Sequence, residues 1–334
     1  MFVGLDVHKR ETQVFLLPAA AKTVGEEKRV RTTAASLKRV LKGVKGPVTL
    51  EAVGFYRPVA RWLLEQGHDV HLANPRLIPK AKVKTDKKDA KHLAKLLRAD
   101  LLPESWIPPE EVQQLRDLVR HRRFLGEETG RLKSKIKHDL LKHGHFFDKN
   151  PVETINGRAH ARRLKIPEVT SSINILETLE NETKQADAKI KLEANKRPEA
   201  KILMTTPGVA EFTALGILAE VGDFKRFPDP EKLASYAGLS IVEEQSGDND
   251  RKGRITKQGN TLLLTLLVEA AHNHIMRCPE SQITKKYERK KTRSGAKRAQ
   301  IAAARSLIHA FYAMVRDQTE FQVNPKTPDE RPAA

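Results

Sequence analysis

A single cysteine, Cys278, stands among the 334 residues, so no internal disulfide is available, and no Cys/His group has the spacing of a zinc finger or ribbon. A reducing cytoplasm fits that usage. Aromatic residues make up 5% of the chain, too few for base stacking to dominate contact with single-stranded nucleic acid. No apolar run approaches the roughly 20 residues of a membrane span. The N-terminus enters a strand directly, without the apolar stretch of a signal peptide. What the chain has in excess is positive charge: 61 Lys and Arg against 42 Asp and Glu, a formal net charge of +19. That balance suits a polyanionic partner. Hydrophobic residues, at 39%, suffice for packed cores, and the length allows two or three domains.

Against this basic background four acids stand out: Asp6 in GLDVHK, Glu51 in VTLEAVG, and Asp86 and Asp89 in KTDKKDA. Residues 2–17 read as a β-hairpin bracketing Asp6. A strand follows near Lys28–Arg31, then a helix over Ala34–Lys42, the strand VTLEAV, the amphipathic helix RPVARWLLEQG and the strand HDVHLA. From Asp86 to Leu97 the apolar residues Ala90, Leu93, Ala94 and Leu97 recur at helical spacing. Three positions apart on a helix, Asp86 and Asp89 project from one face, where Asp6 and Glu51 can add oxygens from strands. Such a hard-oxygen cluster suits Mg²⁺ or Mn²⁺ acting on phosphate. Taken singly, each acid is equally well a turn, strand-end or helix-cap residue.

From Pro108 the strand signals fade. EEVQQLRDLVRHRRFLGEETGRLKSKIKHDLLKHG reads as one long helix, with Leu115, Leu118, Leu125, Leu132, Ile136 and Leu140 near heptad spacing. A second helix over Ser172–Asn195, with sparse apolar positions Ile175, Leu179, Ala186 and Ile190, pairs with it as a hairpin or as an intermolecular coiled coil; a solvated spacer is the alternative. The segment ILMTTPGVAEFTALGILAEVGD reads as helix, Pro-Gly turn, helix. Its turn is either of the helix-hairpin-helix kind, with amides toward a phosphate backbone, or a structural αα-hairpin. The polar segment IVEEQSGDNDRKGRITKQGN, an apolar helix TLLLTLLVEAAHNHI, a basic loop over Lys285–Arg298 and a last helix ending near Val315 follow. The domain division expected is 1–107, 108–197 and 198–318, with a disordered tail over 319–334.

The order GLDVHK, hairpin, LEAVG, strand, KTDKKDAKHLA resembles the RuvC-like, RNase H-type domain of the DEDD transposases of bacterial insertion sequences, relatives of the pilin-gene invertases. TTPGVAEFTALGILAEVGD, LASYAGLS and SGDNDRKGRITKQGN extend the resemblance over nearly the whole chain. It implies an α/β RNase H-like catalytic domain, a helical coiled-coil oligomerisation segment and a mainly α C-terminal domain. It maps the metal-holding tetrad onto Asp6, Glu51, Asp86 and Asp89. It implies a serine nucleophile in the second domain, Ser246 here, that attacks DNA and completes a composite site with the tetrad. Around Ser246 the chain departs from many relatives: Gln245 replaces a second small hydroxyl residue, and Asp248-Asn249-Asp250 replaces a glycine followed by lysine. Arg251, Arg254 and Lys257 follow, placed to hold the scissile phosphate. His8, His92 and His272 receive no role.

The Lys285–Arg298 stretch carries eight Lys or Arg, among them Lys290, Lys291 and Arg293, and reads as a track for DNA or RNA phosphates. Lys84, Lys87 and Lys88 do the same beside the tetrad. The resemblance implies a guide (bridge) RNA that chooses the sequence, DNA element ends and target as substrates, a dimer or tetramer, and a cytoplasmic, nucleoid-associated protein.

Overall fold

The computed structural model describes residues 1–20, 24–78, 86–246, 249–255 and 259–324; the side chains of 86–88, 241–246 and 249–255 fall outside that description, as do the calls made for Lys84 and Lys257. The chain forms two compact units, 1–107 and 108–334.

In the first unit, β1 (Phe2–Val7), β2 (Glu11–Leu17), β3 (Glu26–Arg31), β4 (Val48–Glu51), β5 (Val70–Ala73) and β6 (Glu104–Ser105) make one sheet in the order β3-β2-β1-β4-β5-β6. The β1–β2–β3 meander is antiparallel, β1–β4 and β4–β5 are parallel, and β6 returns antiparallel. The crossovers carry α1 (Ala34–Val40) and α2 (Tyr56–Glu65). Strand alternation sorts the faces. Val3, Leu5, Val48 and Leu50 point into a core shared with Leu37, Val59 and Leu63 of those two helices and with Leu41 just after α1. The other face receives α3 (Asp86–Arg98), whose Ala90 and Ala94 pack with Phe15 and Leu17. A mixed sheet of this kind, with helices on both faces, is consistent with an RNase H-like domain.

The second unit is helical. Its longest members, α4 (Glu110–Lys142) and α6 (Pro167–Asn195), flank α5 (Ile155–Arg163) and pair antiparallel within the chain. Leu115 and Val119 share a core with Ile190 and Ala194, whereas Ile136 and Leu140 meet Val169, Ile173 and Leu176. Arg122 clamps Asp187 with two hydrogen bonds, of 2.8 and 3.2 Å. Ile175, expected on the apolar stripe, is 52% exposed, and Ile173 and Leu176 are buried in its stead. Nor do these helices stand apart. The core that holds Leu115 and Ile190 also contains Leu203, Leu215, Leu266, Leu307 and Phe311, so it crosses the boundary drawn at 197/198 from composition.

Around that core pack α7 (Pro198–Met204), α8 (Glu211–Val221), α9 (Pro230–Tyr236), α10 (Thr261–Arg277), α11 (Gln282–Ser294) and α12 (Ala296–Asp317). The Pro-Gly turn between α7 and α8 is an αα-hairpin that faces inward. Gly208, at φ +94°, lies so near α10 that a Cβ would stand 2.7 Å from the backbone of Asn273 and His274. Pro207 O lies 3.0 Å from His274 Nδ1, and burial lowers that imidazole's pKa. The expected basic loop is instead α11 and the start of α12, broken at Gly295. Dense charge hid its one packed edge, Ile283, Thr284 and Tyr287, and Ser281 caps its start. The tail begins ordered. Phe321 N donates to Thr205 Oγ1 (2.9 Å), its ring meets His274 edge-on, and Gln282 N donates to Val323 O.

Near α5, Arg158 donates to both oxygens of Glu180 at 2.7 Å and to Val152 O at 2.7 Å. The Arg158 hydrogen bonds hold the Glu180 carboxyl below its ordinary pKa. A depressed carboxylate contributes stability above its unfolded pKa and loses it as pH falls through the folded one. Glu180→Gln is therefore expected to cost about 1.5–3 kcal/mol at neutral pH. The difference in thermal stability from wild type should shrink as pH falls below the ordinary carboxylate range and through the depressed folded pKa of Glu180. A gap that stays constant from neutral pH into strong acid, as far as both proteins remain folded, would refute the role of this carboxylate.

Candidate functional site

The strand register brings the first two acids together. Val3, Gly4 and Leu5 of β1 pair with Val48, Thr49 and Leu50 of β4, so the next residue on each strand is Asp6 and Glu51. Both sit at the carboxyl ends of parallel neighbours. Because Leu5 and Leu50 point to the α1/α2 side, Asp6 and Glu51 belong to the face that α3 covers. That helix crosses close at Gly4, where a Cβ would stand 2.0 Å from Ala90 O and 2.8 Å from Ala94 N. Asp6 is two residues beyond this crossing, roughly 7 Å along the strand. Asp86 is one turn before Ala90, roughly 6 Å along the helix. Asp89, half-buried, adjoins Ala90.

The Asp6 side chain is 15% exposed, and His8 Nε2 lies 3.1 Å from its Oδ2. That histidine had no role in the sequence reading. It falls beside the acid because His8 N donates to Glu11 O to close the β1–β2 turn. On the other flank the register sets Gln13 opposite Asp6. Gln13 is 93% buried, and its Oε1 has no partner among the described residues, as is true of Thr49 Oγ1 opposite Gly4. Adjacent carboxylates repel each other unless a cation lies between them. Hard oxygens with unsatisfied buried neighbours fit a hydrated divalent ion. Among the described residues no group of three or more His, Cys, Asp or Glu has metal-holding geometry; the Asp86 carboxylate lies outside them.

In the second unit the polar segment forms a hairpin the sequence reading lacked, β7 (Ile241–Ser246) and β8 (Asn249–Ile255). Ser246 pairs with Asn249 and is the last residue of β7, before the connection Gly247–Asp248. Arg251 pairs with Glu244, and Arg254 lies nearer the feet on β8. Lys290, Lys291 and Arg293 are on α11, and every Lys and Arg from Lys285 to Arg298 is exposed. Lys87 and Lys88 fall in the first turn of α3.

A buried polar cluster lies below the hairpin. Glu220, fully buried near the end of α8, accepts from Arg120 Nε (2.8 Å) and Nη2 (2.9 Å) and from Asn260 Nδ2 (2.5 Å). Arg116 donates to the backbone oxygens of Ala219 and Glu220, which the helix end leaves without intrahelical partners. Tyr236 OH donates to Glu220 O (3.1 Å). None of these residues was singled out beforehand; the one signal was an acid, Glu220, inside the otherwise apolar helix FTALGILAEV.

Comparison with known proteins gives a consistent result. Residues 3–145 match the IS110-type DEDD transposase family, and residues 200–288 match the family described as Transposase IS116/IS110/IS902. The first match spans all four acids, and the second spans Ser246 and the first half of α11. The transposase for insertion sequence element IS1111A of Coxiella burnetii is 24% identical over 337 residues, 96% of this chain and 91% of that one. The transposase for insertion sequence element IS1533 of Leptospira borgpetersenii is 28% identical over 67% of this chain and 70% of its own. The pilin gene-inverting protein of Moraxella bovis is 29% identical over 81% of this chain and 80% of its own.

Proposed function

Since this chain belongs to the IS116/IS110/IS902 family of transposases and is a DNA-recombining enzyme, we propose that it breaks and rejoins DNA at insertion-sequence ends with Ser246 as nucleophile and Asp6, Glu51, Asp86 and Asp89 as ligands of Mg²⁺ or Mn²⁺. The observation that carries the metal half is the β1–β4 register, which aligns Asp6 and Glu51 on the face that receives α3. Asp6, Glu51, Asp86 and Asp89 would hold the ion, which when bound would supply Lewis-acid stabilisation of charge on phosphate oxygens. The Ser246 oxygen forms a bond to phosphorus as the bond from phosphorus to one deoxyribose oxygen breaks; the serine proton leaves to a base and the departing deoxyribose oxygen takes one up as a hydroxyl. Attack by the released hydroxyl of a partner strand on the phosphoserine reverses the step and rejoins DNA.

The exposed cations of α11 support its role in holding phosphate. Lys84, Lys87, Lys88, Arg251, Arg254 and Lys257 take the same role by their places in the sequence, near the acids of KTDKKDA and near Ser246. A structured guide RNA supplies sequence choice, and a dimer or tetramer handles two DNA partners. Programmed DNA inversion is the second reading, favoured by likeness to the pilin gene-inverting protein; it uses the same chemistry.

The test is covalent capture. The purified chain is incubated with element-end DNA, the flanking transcript and Mg²⁺, and a denaturant-stable protein–DNA adduct is sought. The adduct is expected in wild type and lost in Ser246→Ala and Asp86→Ala. Cleaved DNA without an adduct would reject the serine and make water the nucleophile.

A further inference from the structure

A two-stranded hairpin is marginally stable alone, so the position of Ser246 depends on how the feet of β7 and β8 are held. Those feet meet at two glycines. Gly238, at φ +75°, ends α9, and Gly259 presses on it so closely that a Cβ would lie 2.5 Å from Gly238 N and 2.8 Å from Tyr236 O. Next to them Leu239 is buried, and Asn260 N donates to Tyr236 O at 2.9 Å. That bond joins the end of α9, which precedes β7 in the chain, to the cap of α10, which follows β8.

Tyr236 and Asn260 also meet at one carboxylate residue. Glu220 receives Tyr236 OH on its backbone oxygen and Asn260 Nδ2 on Oε2, while Arg120 spans both carboxylate oxygens. A carboxylate near a helix C-terminus opposes the helix dipole and, unpaired in a core, is costly. Replacing a buried ion pair with apolar side chains is often neutral or stabilising, so stability alone is a poor reason for this one. Its geometry offers another. Arg116 and Arg120 come from α4, Glu220 from α8, Tyr236 from α9 and Asn260 from the cap of α10, so four helices converge where the hairpin leaves the body.

We propose that Glu220 is a positioning residue for strand cleavage: its hydrogen bonds to Asn260 and Tyr236 clamp the two feet of the β7–β8 hairpin and so aim Ser246. The inference rests on the reading of Ser246 as nucleophile. Glu220 itself touches no DNA and is not catalytic.

Two variants separate the clamp from the fold. Glu220→Gln keeps the shape and removes the charge. Asn260→Ser keeps a side-chain oxygen for the Leu263 N cap and removes the amide nitrogen that donates to Glu220. In each, backbone amide exchange in 241–246 and 249–255 is expected to quicken about tenfold or more, with amides in the middle of α8, α10 and α12 unchanged. Adduct formation at saturating DNA should fall about tenfold or more, with DNA affinity within roughly threefold of wild type. The double variant should be no worse than the more impaired single variant, because both break one clamp. Hairpin exchange equal to wild type in both variants would overturn the proposal, as would a parallel loss of protection throughout the unit. If wild type forms no adduct, the serine reading fails, and the exchange data still decide whether Glu220 holds the hairpin.

Discussion

Gly4→Ala is expected to lower the stability of the first unit by about 3 kcal/mol, the upper end for an overpacked core site. The added methyl would stand 2.0 Å from Ala90 O and 3.0 Å from Ala90 C. Neither is the end of a flexible side chain; both are helix backbone, and relief requires α3 to move off the sheet as a body. Such a movement would open the contact of Ala90 and Ala94 with Phe15 and Leu17. It would also carry Asp86 and Asp89 away from Asp6, so recombination should fall even below the melting temperature. Both tryptophans, Trp62 and Trp106, lie in this unit, so their fluorescence follows its unfolding separately from the helical unit. A drop of roughly 10–20 °C in that transition is the expected reading. A variant melting within 2 °C of wild type would mean that α3 does not approach β1 at Gly4.

Asp6→Asn and Glu51→Gln carry the largest expected loss of activity. Each swap keeps side-chain size and removes one charge from the end of a strand whose core-facing neighbours, Leu5 and Leu50, are untouched. DNA cleavage should fall at least about 10²–10³-fold, as when a group that stabilises transition-state charge is removed. The tryptophan-reported transition should stay within a few degrees of wild type, and Mg²⁺ binding followed by calorimetry should weaken in both variants. Full cleavage by Asp6→Asn would remove the acid cluster from the mechanism. Loss of cleavage with metal binding unchanged would reassign Asp6 from ion ligand to another role. The neighbouring His8, 3.1 Å from Asp6, makes His8→Ala a milder companion. It should leave the fold intact and reduce cleavage less than either acid variant.

Much of the first unit was legible in advance because its elements follow local rules. The hairpin pattern over residues 2–17 gave β1 and β2, and Ala90, Leu93, Ala94 and Leu97 recur at helical spacing on α3. The order of the four acids along these elements was also plain. Other features were hidden. The β7–β8 hairpin is polar on both strands, so no apolar alternation announced it. The packed edge of α11 was masked by six cations within thirteen residues. Ile175 was assigned to the wrong side of α6 because that helix has few apolar residues from which to fix a phase.

Chain chemistry alone decided the basic character, the kinds of element in most of the first unit and the candidate acids, since charge, periodicity and capping act within a few residues of one another. Three-dimensional pairing decided the rest. The partners of Glu220 stand 100 residues away at Arg120 and 40 away at Asn260. Asp6 meets Glu51 through a strand register, and Gly4 is constrained by a helix more than eighty positions later. Contacts across such separations form when burial and hydrogen bonding over the whole core offset the entropy of closing long loops, and that balance leaves no local periodicity to read.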